Sequence, residues 1–158
     1  MKKTNIRLFH VIGLLALGWL AQAPSAGADS TAKKPAPLKS QVLAWESMPV
    51  KQTALGNVRP IFNTPTATLA KLESHVTTLN PGLDSHAVHR HAHEELIIIK
   101  EGTVEVTLND EKKTVGPGAI LFYASNDPHK IKNVGTTPAV YHVFTFYTAE
   151  TAKLAVKK

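Results

Sequence analysis

Three histidines and two carboxylates fall within the seven residues His89-Arg90-His91-Ala92-His93-Glu94-Glu95. The run Leu96-Ile97-Ile98-Ile99 follows at once and has to be buried. Ligand-type side chains packed this densely beside a core strand point to a metal ion. His89 and His91 lie two apart, so on a strand both project from one face. Glu95 has the same parity, and a kink or turn would bring its carboxylate back to the same ion. A fourth ligand has to come from another strand, and His129 is the best placed, opening one after the turn Ser125-Asn126-Asp127-Pro128. Three neutral imidazoles and one carboxylate suit a single divalent transition metal ion: Fe, Mn, Ni, Cu, Co or Zn. Any coordination position left open would admit water, O₂ or a substrate oxygen.

The rest of the chain reads as β structure. Gln41 to Trp45 is expected to begin the sheet, and the pattern becomes continuous from Thr66, through His75 to Leu79, before Asn80-Pro81-Gly82 turns the chain. Leu96 to Ile99 and Thr103 to Leu108 are two strands meeting near Gly102, the second with Val104, Val106 and Leu108 on one face. Strands are further expected over 119–123, from His129, and over 139–148, with a short helix at most over 149–156. Many short strands separated by turn chemistry predict an antiparallel sandwich or barrel.

Residues 1–28 are set apart from this domain. A basic start through Arg7, the apolar run Val11 to Ala21 and the small residues Ala26-Gly27-Ala28 have the layout of a secretory signal peptide, with cleavage expected after Ala28. The apolar run is shorter than the ~20 residues that span a bilayer, so no stable membrane insertion is expected after cleavage. Residues 29–40, rich in Ala, Lys, Ser and Pro, read as a disordered linker, 41–150 as the β domain and 151–158 as a basic tail. Export implies a periplasmic or secreted protein, and the absence of Cys suits an oxidising compartment while removing thiolate sites and a Cys nucleophile. The formal charge of +6 resides in the termini. Between Gln41 and Glu150 nine Lys and Arg face eleven Asp and Glu, so the body carries no basic face for a nucleic acid.

Two separated motifs resemble those of the cupin superfamily. The first motif of that family is a Gly, an HxH pair, a Glu and a closing Gly; here Gly82, His89-Arg90-His91, Glu95 and Gly102 take those places, with Gly82 one residue further out than usual. The second is matched by Gly118, His129 and Asn133 at intact spacing. Ala124 stands where the family has Pro, and Asn126 where it has Gly; Asn is the best substitute at a positive-φ turn position. The resemblance covers about residues 66–148. It implies an all-β fold, a single double-stranded β-helix or jelly-roll barrel of the small cupin type, with His89, His91, Glu95 and His129 as metal ligands. It carries no activity, because the fold hosts many.

Competing readings weigh on each residue. A surface histidine cluster that binds metal adventitiously is a fair reading of 89–95 alone, but the register of Glu95 and His129 weighs against it. His93 is expected at the pocket edge or as a group that orients a ligand rather than as a fifth ligand, Glu94 outward and His86 in a loop. His75 and His142 lie on strands, where a hydrogen-bonded core histidine is the default. The aromatics from Phe122 to Tyr147 leave open which set faces the barrel mouth. The resulting expectation is an exported metal-binding cupin acting on a small organic molecule, as an enzyme of dioxygenase or isomerase type. The alternative is a non-catalytic module that binds a small molecule or the metal itself. The apolar run Leu96 to Ile99 needs cover on its outer face, from the N-terminal segment or from a second subunit in a homodimer.

Overall fold

Alternation with a period of two governs the strands of this chain, and the longest of them shows it best. Over Ala139–Tyr147 the odd-numbered residues are buried, while His142, Phe144 and Phe146 are only half-buried. A computed structural model describes residues 35–155; the expected signal peptide lies outside the described residues, as do 29–34 of the expected linker and the last three residues of the tail. The strands are β1 (Lys51–Thr53), β2 (Gly56–Thr64), β3 (Lys71–Leu79), β4 (Glu94–Glu101), β5 (Val104–Leu108), β6 (Glu111–Val115), β7 (Ile120–Tyr123), β8 (His129–Asn133) and β9 (Ala139–Tyr147). One helix, α1 (Ala149–Ala155), follows the last strand. Among the described residues no helix is long and apolar enough to cross a membrane.

All pairings are antiparallel and form two sheets, one ordered β1-β2-β3-β9-β4-β7 and the other β6-β5-β8. The core includes Ile97 and Ile99 of β4, Val104 and Val106 of β5, Ile131 of β8 and Val143 of β9. Burying an aliphatic side chain of this size contributes about 1.5–3 kcal/mol. The chain passes from the large sheet to the small one at Gly102, with φ +84°, where an added Cβ would stand 2.7 Å from the Ala139 Cα. Only glycine fits a site that is both left-handed and that close to another backbone. Asn133, wholly buried, ties the closed end together: its amide donates to the Leu79 and Thr137 carbonyls at 2.8 and 2.9 Å, and its oxygen accepts the Gly135 N–H at 2.9 Å.

The N-terminal part differs from the sequence expectation. Residues 41–44 form no strand; a single 3-10 turn spans Trp45–Ser47, and the sheet begins at Lys51. Val42 is almost fully exposed, so the short apolar run has no partner to pair with. The Trp45 ring is instead covered by the Arg59 guanidinium at 4.5 Å and the Lys100 ammonium at 4.4 Å. Arg59 also donates to the Met48 carbonyl, which makes it a structural cation. Strand β2 runs through Pro60, which lies beyond the residues paired with β1 and where the register with β3 shifts between Pro60 and Phe62. Conversely, Thr66 to Ala70 turns rather than extends, because the Thr66 hydroxyl accepts the N–H groups of Thr68 and Leu69. Leu38, in the expected linker, donates its N–H to the Pro65 carbonyl.

The outer face of β4 is only partly covered. Ile97 and Ile99 point inward, while Ile98 pairs with Ile120 and Leu96 with Phe122 on the edge strand β7. Ile98, Ile120 and Phe122 are all exposed.

Candidate metal centre

The segment between β3 and β4 runs beside β8 without becoming a regular strand. Gly82 donates to Asn133, Ser85 to Ile131, and His89 and His129 exchange both backbone hydrogen bonds at 3.2 and 2.9 Å. Residues paired in that way present their side chains on one face. The two rings accordingly lie 4.5 Å apart, centroid to centroid.

His91 arrives by a different route. It is not on a strand, since β4 starts only at Glu94, so parity does not place it. The turn at Asn126 holds it: Asn126 has φ +66° and donates its N–H to the His91 carbonyl at 2.8 Å. The left-handed turn anticipated from the Asn at that position is present. The His91 ring then lies 5.3 Å from that of His89 and 4.8 Å from that of His129. Glu95, at the start of β4, brings a carboxylate oxygen to 3.6 Å from His91 Nε2.

The tautomers follow from the acceptors. Nδ1 of His91 lies 2.8 Å from the His93 carbonyl, and Nδ1 of His129 lies 2.8 Å from the Asp127 carbonyl. A carbonyl can only accept, so each Nδ1 carries the hydrogen and each Nε2 of the neutral ring offers a lone pair. Both Nε2 atoms are buried and have no hydrogen-bond partner. Buried polar atoms are seldom left so, and imidazoles oriented through Nδ1 to a carbonyl are in the arrangement that metal-ligating histidines adopt. The donor set therefore fits a metal ion. Two overlapping groups have ligand atoms within 4.8 Å of one another: His89, His91 and His129, and His91, His93 and Glu95.

Electrostatics agree with that use. Burial and the neighbouring imidazoles of His86, His129 and His91 hold His89 down to about 4. His129 is lowered, mainly by burial. Burial opposes charge on His91, but the Glu95 carboxylate and the His93 carbonyl outweigh it and raise its pKa. Burial likewise works against charge on Glu95, and His91 more than offsets it, so its carboxyl stays ionised below the usual range. His89 and His129, held neutral beside one carboxylate, suit a divalent ion, which at His91 would take the place of the proton that Glu95 favours.

Around these residues the remaining histidines separate. His93 stacks flat on His91 at 3.6 Å and touches the Tyr147 ring at 4.3 Å, so it backs the His91 ring. His86 stands edge-on to His89 at 3.9 Å. His142 faces outward between Trp45 and Phe144. His75 faces inward and lines a cavity of about 320 Å³ together with His86, His89, Glu95, Tyr123 and Tyr141. The aromatic parity left open by the sequence resolves here: Tyr123 and Tyr141 face the cavity, Phe122 faces solvent. Tyr123 stacks on His129 at 4.0 Å and its buried hydroxyl has no partner. Its role escaped sequence reasoning, although Glu95 and Tyr123 are direct cross-strand partners.

Comparison with known proteins agrees with the geometry. The cupin domain family model matches residues 75–146. An RmlC-like cupin from Shewanella frigidimarina is similar at 15% identity and a TM-score of 0.58, over 71% of this chain and 95% of that one. The polyketide cyclase RemF from Streptomyces resistomycificus is similar at 17% identity and a TM-score of 0.57, over 68% and 80%. KdgF from a Halomonas species is similar at 16% identity and 0.56, over 71% and 98%. At such identities the likeness is one of fold. No curated protein sequence matches the chain. With both motifs in register and two antiparallel sheets around one core, residues 75–146, from β3 to β9, form a domain of the cupin superfamily.

Proposed function

We propose that this protein is an exported cupin that holds one divalent transition metal ion through His89, His91, Glu95 and His129 and acts on a small organic molecule in the adjoining cavity, as an enzyme of dioxygenase or isomerase type. One observation carries the reading: the unpartnered Nε2 atoms of His91 and His129, each fixed in the ligand tautomer by a backbone carbonyl. When bound, the ion would supply Lewis acidity, or electron transfer if it is redox-active. The protein's own residues hold and orient the reactants. Glu95 provides the negative charge, and Tyr123 packs His129 in place. The aliphatic side chains of Leu79, Ile97, Ile131 and Val143 shield the cavity floor from water. That one fold neighbour is a polyketide cyclase is in keeping with small-molecule chemistry in such a barrel.

Elemental analysis of untagged protein from its native compartment tests the centre. One transition metal per chain is expected, and the identity divides the reaction classes: iron, manganese, nickel or copper directs assays to oxygenase chemistry, zinc to isomerisation. An empty site leaves the non-catalytic binding module. Turnover without metal would overturn the enzyme reading. N-terminal sequencing of the same sample is expected to begin at Asp29. The apolar strip of Ile98, Ile120 and Phe122 supports a homodimer through this face. Sedimentation should show a dimer that Phe122→Glu converts to monomer.

A further inference from the structure

His75 is a cavity histidine outside both metal-ligand groups. It sits in the middle of β3, in register with Val143 of β9, which in turn pairs with Ile97 of β4. Glu95 lies two residues from Ile97 and so shares its inward face. Two strand spacings of about 4.8 Å separate β3 from β4, so His75 and Glu95 flank the space that a molecule of a few heavy atoms would fill. Burial and the charges of Glu95 and Glu73 act on the proton affinity of this imidazole. Burial is the largest effect and lowers its pKa, so the ring carries no proton at neutral pH and offers a lone pair, and only an anionic oxygen arriving in the cavity would raise its proton affinity. Among the described residues the cavity lining includes hydroxyls from Thr53, Thr77 and Ser85 but no Lys or Arg. A phosphate or a second carboxylate would therefore be buried without a cationic side chain to meet it.

We propose that His75 is the proton acceptor of this cavity, taking the proton that an uncharged, hydroxyl-bearing small molecule gives up as its oxygen enters the ligand cluster. The inference rests on the metal-centre reading above. In the step the O–H bond breaks, the proton goes to the His75 imidazole and the electron pair stays on the oxygen. Nothing is oxidised or reduced.

Acetohydroxamic acid, an uncharged oxygen chelator that binds metals with loss of a proton, is a suitable probe. Its binding to the zinc-loaded protein is followed by calorimetry in buffers of different ionisation enthalpy, which counts protons released. The wild type is expected to release measurably fewer protons than His75→Gln and His75→Asn, which should each release about one per probe bound. Zinc stoichiometry and far-ultraviolet dichroism should be the same in all three. Histidine ¹⁵N spectra of the wild type give a second readout that needs no variant: one imidazole outside the zinc ligands should become protonated when the probe is added. Equal proton release in wild type and variants, or no binding of the probe to zinc-loaded wild type, overturns the assignment of His75. Failure of the protein to bind zinc, or equal zinc binding by His129→Ala, overturns the metal centre instead, so the two failures are distinguishable.

Discussion

The two halves of the histidine cluster are positioned by different physics. His89 and His129 face each other across a pair of backbone hydrogen bonds, and sheet register alone sets their rings side by side. His91 and His93 belong to a loop, where the Asn126 turn, a carbonyl contact and ring stacking do the positioning. The first half inherits the cooperativity of the sheets. The second depends on individual contacts of modest energy and can be loosened without unfolding the barrel. Stability and metal affinity should therefore separate when the halves are perturbed one at a time.

The largest effect is expected from His129→Ala. It removes a ring that is fully buried and whose Nε2 has no other use, and metal affinity should fall at least about a hundredfold. Competition with a chromophoric chelator measures it; retention of tight, stoichiometric metal would end the four-ligand reading. Asn133→Ala strikes the register half from behind. It leaves the Gly135 N–H and the Leu79 and Thr137 carbonyls without their partner in the interior, at a cost of about 3 kcal/mol in urea unfolding. Since Asn133 ends the strand that His129 begins, metal binding should weaken only in step with the folded fraction.

This division also explains what the sequence could and could not disclose. His89, Glu95 and His129 were legible because strand parity and motif spacing express sheet register, which is a period-two property. The positive φ of Asn126 was legible for a similar reason, since few residues tolerate that conformation. The stacking of His93 on His91 was not legible, because residues 90–93 are not a strand and parity gives no information there. The direction of Tyr123 stayed open because its partner Glu95 is 28 positions away and the pairing of β4 with β7 is a tertiary fact. The first strand was set at Gln41 from an apolar run, yet Val42 is exposed and Trp45 is satisfied by two cations instead. Local propensity was overruled there by the lack of a neighbour.

Smaller effects should come from the loop half. Asn126→Val forces a β-branched residue into φ +66° and should destabilise the fold by about 1–3 kcal/mol, while Asn126→Gly should be nearly neutral. Thermal unfolding of the two variants side by side checks the sign. The distinguishing sign of the loop half is metal affinity falling in Asn126→Val beyond what the lost stability explains, because the His91 carbonyl is then no longer held by the Asn126 N–H at 2.8 Å. A loss confined to stability would mean that the His93 carbonyl, the His93 ring and Glu95 fix His91 without the turn.

The smallest effect is the most discriminating. His93 lies flat on His91 at 3.6 Å and against Tyr147 at 4.3 Å, and it also falls in a ligand-distance group with His91 and Glu95. The stacked geometry uses the face of the ring, whereas ligation would use a nitrogen at its edge. If stacking is its function, His93→Phe keeps the platform under His91 and retains metal affinity, while His93→Ala gives up a ring contact of about 0.5–1.5 kcal/mol, a weakening of several-fold. If His93 supplied a nitrogen to the ion, Phe and Ala would be equally damaging and the loss would approach that of His129→Ala. A chelator competition across these variants thus decides whether the loop half contributes one ligand with a support behind it or two ligands of its own.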